Sequence, residues 1–259
     1  MKIGWCEGLP NAALLKEIGY DFIELPLAPL GLEDRETFAA SKQAVRHSPL
    51  ATSAFNVFFP KDIRVVGPEV DVARVRSYLG RAAELLSEAR AQVVVLGSGW
   101  ARNAPNGWER ARAEEQWLEA LSWCADALEG TGVTLVIEPL NRKESNIVNS
   151  VEEGVRFAER INRPEIRVLA DLYHMNEEQE PLETLKANAL WLAHIHLADT
   201  GRKNPGTGSF DYDRLFGYLR EIGYEGMISA ECKVERLEAD ARHSLNFLRR
   251  HWPPDGSTG

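Results

Sequence analysis

A chain of 259 residues, 44% hydrophobic and 27% charged, has the composition of an ordinary soluble globular protein and enough apolar mass to bury a core without disulfide support. Its formal net charge of −9 argues against a surface built to neutralise nucleic-acid phosphates. Cys6, Cys124 and Cys232 are odd in number, far apart and without a CxxC pair, which excludes a disulfide framework or thiolate zinc site and fits a reducing compartment.

The opening MKIGWCEGLP runs straight into a strand-like segment and lacks a signal-peptide apolar region or a spanning stretch, so a cytoplasmic, membrane-free protein is expected. From there strand-like and helix-like segments alternate, separated by short Gly, Pro or Asn punctuation. The strand candidates are KIGWC near residue 2, DFIELPL near 21, LATSAFNVFF near 50 and QVVVLGS near 92. VTLVIEP near 133, IRVLADL near 166, LAHIHLA near 192 and GMISAEC near 226 complete a set of eight. The clearest helix runs from Trp108 to Glu129: Trp117, Leu118, Leu121, Cys124, Ala125 and Leu128 fall on one face, and Gly130 supplies the stop. In GTGSFDYDRLF, Ser209 or Asp211 is the expected helix cap. Eight βα pairs predict a single (β/α)8 TIM barrel in the α/β class, occupying residues 1–252 as one domain, with 253–259 as a flexible tail.

The last four strands each end in one ionisable side chain: Glu138, Asp171, His196 and Glu231, roughly 25 to 35 residues apart. Side chains alternate along a strand, so Glu138 shares an inward face with Val136 and Thr134, while Ile137, Leu135 and Val133 face the helices. By the same count Glu231 points inward with Ser229 and Met227, Ile228 and Ala230 point outward, and His194 and His196 share an inward face. Several inward carboxylates at one rim repel each other and are costly to bury unless a cation sits between them. Three acids and one imidazole make an oxygen-rich donor set. It suits one divalent metal ion, manganese first, with magnesium, cobalt or zinc as alternatives. His194, one pleat below His196, is expected to be a hydrogen-bonded core histidine rather than a ligand.

The segments IEPLNRKESNIVNS, ADLYHM, HIHLADTGRKNPGTGSFDY and ISAEC resemble the xylose isomerase-like TIM-barrel superfamily, and within it the ketose 3-epimerases of the D-tagatose and D-psicose kind. The resemblance covers about residues 92 to 232. It implies Glu138, Asp171, His196 and Glu231 as metal ligands, Glu138 and Glu231 as the catalytic acid–base pair, and Glu144, His174 and Arg202 as sugar contacts. It further implies an isomerase of carbohydrate metabolism that moves a proton through an enediolate, inverting C3 of a ketose. The implied partner is a small sugar or keto-acid substrate, with no nucleic acid and no membrane; a homo-oligomer is an open expectation.

Other readings stay open. Hydroxypyruvate isomerases share strand-end carboxylates and a similar HLAD-then-PGTG segment, and inosose dehydratases use the same scaffold. A phosphorylated substrate needs a further cation at the mouth, for which Arg102, Arg142 and Lys203 are candidates. An apurinic-site endonuclease needs extra histidines that the six here, at 47, 174, 194, 196, 243 and 251, do not supply. A non-catalytic sugar-binding barrel is the remaining alternative. Gly97-Ser98-Gly99 is either a substrate-facing loop or a plain βα turn. Glu24 and Asn56 sit near the mouths of strands two and three. Trp5, Phe58 and Trp100 are candidates for an apolar wall against the sugar.

Overall fold

The computed structural model describes residues 1–252, so the tail expected at 253–259 lies outside the described residues. Eight parallel strands pair in sequence order and the eighth closes on the first: β1 (Ile3–Cys6), β2 (Phe22–Pro26), β3 (Ala54–Asn56), β4 (Val93–Leu96), β5 (Thr134–Ile137), β6 (Ile166–Asp171), β7 (Leu192–Leu197) and β8 (Met227–Ala230). The chain thus forms a (β/α)8 TIM barrel. Between the strands run α1 (Ala12–Ile18), α2 (Arg35–Arg46), α3 (Val72–Glu88), α4 (Gly99–Arg102) and α5 (Arg110–Leu128). The second half adds α6 (Val151–Ile161), α7 (Leu172–Glu177), α8 (Glu183–Ala187), α9 (Tyr212–Glu221) and α10 (Leu237–His251). Among the described residues no helix is long and apolar enough to cross a membrane.

Local chemistry sets the helix boundaries. Side chains of Asp34, Asp71, Ser150 and Asp211 accept hydrogen bonds from backbone N–H groups in the first turns of α2, α3, α6 and α9, satisfying donors that a helix start leaves free. Of the two residues expected to cap α9, Asp211 is the one that does. On α5, Trp117, Leu121, Cys124, Ala125 and Leu128 are buried as the periodicity requires, and Gly130 follows in a left-handed conformation.

The core has two compartments. Outward-facing strand residues, among them Leu135, Ile137, Ile228 and Ala230, pack against the helices. Inside the barrel, Phe22, Ala54, Val93, Val95, Val136, Leu169 and Met227 form a separate apolar plug. Strand alternation therefore sorts Val136 and Met227 inward and their neighbours outward as expected. Gly4 makes the plug possible: a Cβ there would fall 2.3 Å from the Phe22 ring, so only glycine lets that ring fill the barrel. Above the plug the interior turns polar. The His194 ring lies 6.5 Å from Phe22 and 5.2 Å from His196, forming a column that climbs from the apolar floor toward the carboxyl ends of the strands.

Candidate active site

Glu138 and Glu231 each stand one residue beyond the end of a strand, β5 and β8, while Asp171 is the last residue of β6 and His196 lies in β7. Barrel closure brings the four together: one donor atom from each lies within 4.8 Å of all the others. The imidazole is central. His196 Nδ1 is 3.3 Å from Glu138 Oε1, 3.6 Å from Asp171 Oδ2 and 3.7 Å from Glu231 Oε2.

The donor set fits a divalent cation on an independent observation. Asp171 Oδ1 caps α7, accepting from the N–H groups of Tyr173 at 2.7 Å and His174 at 3.1 Å. Its other oxygen, Oδ2, is buried and has no hydrogen-bond partner. A buried carboxylate oxygen without a donor is costly, and here it faces an imidazole nitrogen and two further carboxylates, the surroundings of a metal ligand.

Electrostatics express the same crowding. Burial, reinforced by the charges of Glu138 and Asp171, pushes Glu231 up to about 7 against the opposing pull of His196 and Arg202. Burial would also raise Asp171, but the nearby positive charges of His196, His174 and Arg202 hold it well below the usual carboxylate range. His196 moves the other way. Burial would lower it, yet Glu24, Glu231, Asp171 and Glu138 together lift it well above the ordinary imidazole value.

Over this cluster opens a cavity of about 340 Å³, whose lining includes Glu138, Glu231, Glu144, His174, Arg202 and Trp100. All seven expected site residues therefore meet at one mouth. His174 is buried, and its Nδ1 lies 3.1 Å from the backbone N–H of Asn141 and 2.9 Å from the Asn141 side-chain amide. Nδ1 accepts, so the ring hydrogen sits on Nε2 and is free to donate to a ligand. Asn141 also donates to Glu144 Oε1 at 3.0 Å, orienting a carboxylate that is otherwise exposed. Arg202 adopts a left-handed backbone (φ 62°), lays its guanidinium over the Tyr173 ring at 4.7 Å, and donates through Nη2 to Glu231 Oε2 at 2.6 Å. A larger cavity, about 440 Å³, lies at the opposite end of the barrel against Asp21, Gln92 and Arg249, where none of the ionisable strand ends reach. Size alone misleads here, because in this fold active sites occupy the carboxyl ends of the strands.

Several secondary expectations are corrected. Trp5 and Phe58 are fully buried core residues, and of the three aromatics considered only Trp100 lines the cavity, its Nε1 donating to Pro60 O at 3.0 Å. Arg102 is unavailable to a phosphate. It is wholly buried over the Trp117 ring and donates to the carbonyls of Leu96, Glu138 and Ile147 at 3.0, 2.6 and 3.0 Å, stitching β4, β5 and the loop that carries Asn141 and Glu144. Arg142 pairs with Glu178, and Lys203 is exposed outside the cavity lining. Gly97, Ser98 and Gly99 do line the cavity, while the Ser98 hydroxyl accepts from Phe59 N–H at 3.0 Å. Gly97 makes room, since a Cβ there would meet Glu138 Oε2 at 1.9 Å. Asn141 escaped the sequence reading because its position three residues past Glu138 carries no periodic signal. Glu24, placed only near a mouth, lies within the barrel beneath the cluster, and Asn56 reaches Glu231 Oε1 at 3.4 Å.

The structure is that of a closed βα barrel with three carboxylates and a histidine gathered at one mouth, a group able to hold a metal ion. Residues 12–251 match the family model described as "Xylose isomerase-like TIM barrel", and the chain belongs to that family. It is 27% identical over 248 residues to a ketose 3-epimerase of Arthrobacter globiformis, covering 94% of this chain and 84% of that one. Identity is also 27% over 247 residues to a 3-dehydro-D-guloside 4-epimerase of Escherichia coli, covering 91% of both chains. Among solved structures, a D-psicose 3-epimerase from Clostridium cellulolyticum, crystallised with D-tagatose, superposes with a TM-score of 0.85 at 19% identity over 96% of this chain and 99% of that one.

Proposed function

We propose that this protein is a divalent-metal-dependent sugar epimerase that inverts C3 of a ketose by proton transfer through an enediolate, with manganese as the preferred ion and Glu138, Asp171, His196 and Glu231 as its ligands. The observation that carries the reading is the four-donor cluster with its unpartnered Asp171 oxygen beneath a cavity lined by polar groups. Full-length similarity to sugar epimerases supports it.

Removing a proton from a carbon beside a carbonyl leaves negative charge on the sugar oxygens, and the ion, when bound, supplies Lewis-acid stabilisation of that charge. The protein supplies the proton transfers. Glu138 and Glu231 project from strands three apart in the barrel order, one to take the proton from one face of the sugar and the other to return a proton to the opposite face; each such acid–base group is worth ~10²–10⁴-fold. His174, donating from Nε2, and Arg202 hold the oxygens flanking the reacting carbon, and Glu144 accepts from a hydroxyl.

The cavity lining argues for an uncharged substrate. Glu138, Glu144 and Glu231 face it, and its lining cation, Arg202, is already paired with Glu231. With the charge of the ion offset by its carboxylate ligands, the lining offers no unpaired cation for the carboxylate of hydroxypyruvate or the phosphate of a sugar phosphate, and Glu144 adds negative charge. A second reading has specific support: the identity to the guloside 4-epimerase equals that to the ketose epimerase. C4 of a 3-keto sugar is also beside a carbonyl, so the same two carboxylates would serve.

The test is a panel of D-fructose, D-tagatose, L-ribulose, 3-dehydro-D-guloside and hydroxypyruvate, each assayed with Mn²⁺ and with chelator. Turnover of one neutral ketose, abolished by chelator and restored by Mn²⁺, is expected. Turnover unaffected by chelator, or confined to hydroxypyruvate, would overturn the proposal.

A further inference from the structure

Glu24 has no solvent exposure and no part in the proton transfers proposed above. Its two oxygens are divided between two histidines: Oε1 lies 2.8 Å from His196 Nε2, and Oε2 lies 2.8 Å from His194 Nε2. A carboxylate can only accept, so each of these nitrogens must carry a hydrogen. For a neutral His196 that places the lone pair on Nδ1, the nitrogen that faces Glu138, Asp171 and Glu231 at 3.3, 3.6 and 3.7 Å. His194 is not idle in this arrangement. It takes the second oxygen of Glu24, with Ser229 Oγ 3.3 Å from the same nitrogen, and its ring stands edge-on to His196 at 5.2 Å.

From this geometry we infer that Glu24 is a positioning residue: by accepting both Nε2–H bonds it holds His196 in the one tautomer that can offer Nδ1 to a divalent ion, while His194 anchors the other end of the carboxylate. The inference rests on the metal reading of the cluster. It also explains why the position needs glutamate. Glutamine has the same shape but one acceptor and one donor group, so it satisfies one imidazole only by forcing the other to accept at Nε2. If that other is His196, its hydrogen moves to Nδ1 and the ring leaves the donor set. Aspartate keeps both acceptors but is one methylene short of two contacts already at 2.8 Å. Partners of this kind, one bond behind a ligand, commonly alter metal affinity by roughly 10- to 100-fold.

The experiment is titration of metal-free wild type, Glu24→Gln and Glu24→Asp with Mn²⁺, reading free ion by electron paramagnetic resonance. Val136→Ala, which opens the apolar plug without touching the histidines, controls for lost stability. Expected is a roughly 10- to 100-fold weaker affinity for Glu24→Gln, a smaller loss for Glu24→Asp and wild-type affinity for Val136→Ala. In the Zn²⁺-loaded wild type, ¹⁵N resonances of His196 should show hydrogen on Nε2. Unchanged affinity in both folded Glu24→Gln and folded Glu24→Asp, an equal loss in Val136→Ala, or hydrogen on His196 Nδ1 would each overturn the inference. Should Glu24→Gln fail to fold, Glu24→Asp decides alone: wild-type affinity there would overturn it. Wild-type protein that takes up neither ion would instead overturn the metal reading itself.

Discussion

Single side chains at this site divide into those that would hold the ion and those that would hold the sugar, and substitutions should separate them. On the proposed roles, Glu231→Gln would remove a ligand and a proton carrier together, so kcat should fall by about 10²–10⁴-fold and Mn²⁺ affinity should drop as well. His174→Ala leaves all four donors in place; bound metal measured by atomic absorption should match wild type while turnover is lost. Gly97→Ala is a purely steric probe, because its Cβ would meet Glu138 Oε2 at 1.9 Å and push the carboxylate off its mark. Activity and metal affinity should fall together with little change in the melting temperature, and a fully active Gly97→Ala enzyme would show that Glu138 is not held where it must act. The residues behind these predictions were unequally legible in the sequence. Glu138, Asp171, His196 and Glu231 stood out because each closes an apolar run. Arg102 reads in one dimension as a cation near a mouth, and only the fold shows its guanidinium spent on three carbonyls.

Elements were more legible than contacts, for a physical reason. Strands buried on both faces and helices with a long apolar stripe leave periodic patterns, so all eight strands could be read and the end of α5, expected at Glu129 before Gly130, falls one residue earlier at Leu128. Helices of four to six residues such as α4 and α7 are too short to show a period, and α7 exists because Asp171 ends a strand and caps a helix at once. The start of α6 offers a stability test. Glu180 accepts from Val151 N–H there, yet burial, reinforced by Glu152, Glu153 and Glu178, raises its carboxyl from an ordinary 4.5 to about 7. Because the folded state binds this proton more tightly than the unfolded chain, Glu180 favours folding fully below about 4.5, and that benefit is lost as pH rises through about 7. Glu180→Gln should flatten the stability profile across this window and raise the denaturation midpoint at about pH 8, above the raised carboxyl, checked by urea unfolding at several pH values. A steeper profile in the variant would contradict this account.

Across the whole molecule, both halves of the barrel line the cavity, but they contribute different parts of it. The four metal candidates lie in or just beyond β5 to β8, whereas Asn56 of β3, Val57 after it, Gly97 and Ser98 after β4 and Trp100 of α4 line the facing side of the cavity. Turnover by proton exchange has a signature at this scale: product formed in D₂O should carry deuterium at the inverted carbon, by mass spectrometry, and product without label would point to a hydride shift. Val57 takes a left-handed backbone (φ 45°) that β-branched residues rarely adopt, and it is among the few large apolar side chains left exposed. Such a partition has an evolutionary corollary. Lineages on this scaffold can explore new sugars by varying the facing wall at Val57 and Trp100 while Glu24 and Gly97, which brace the donor cluster from the same half, stay fixed; a library varied only at those two positions should change which sugar is accepted long before it extinguishes catalysis.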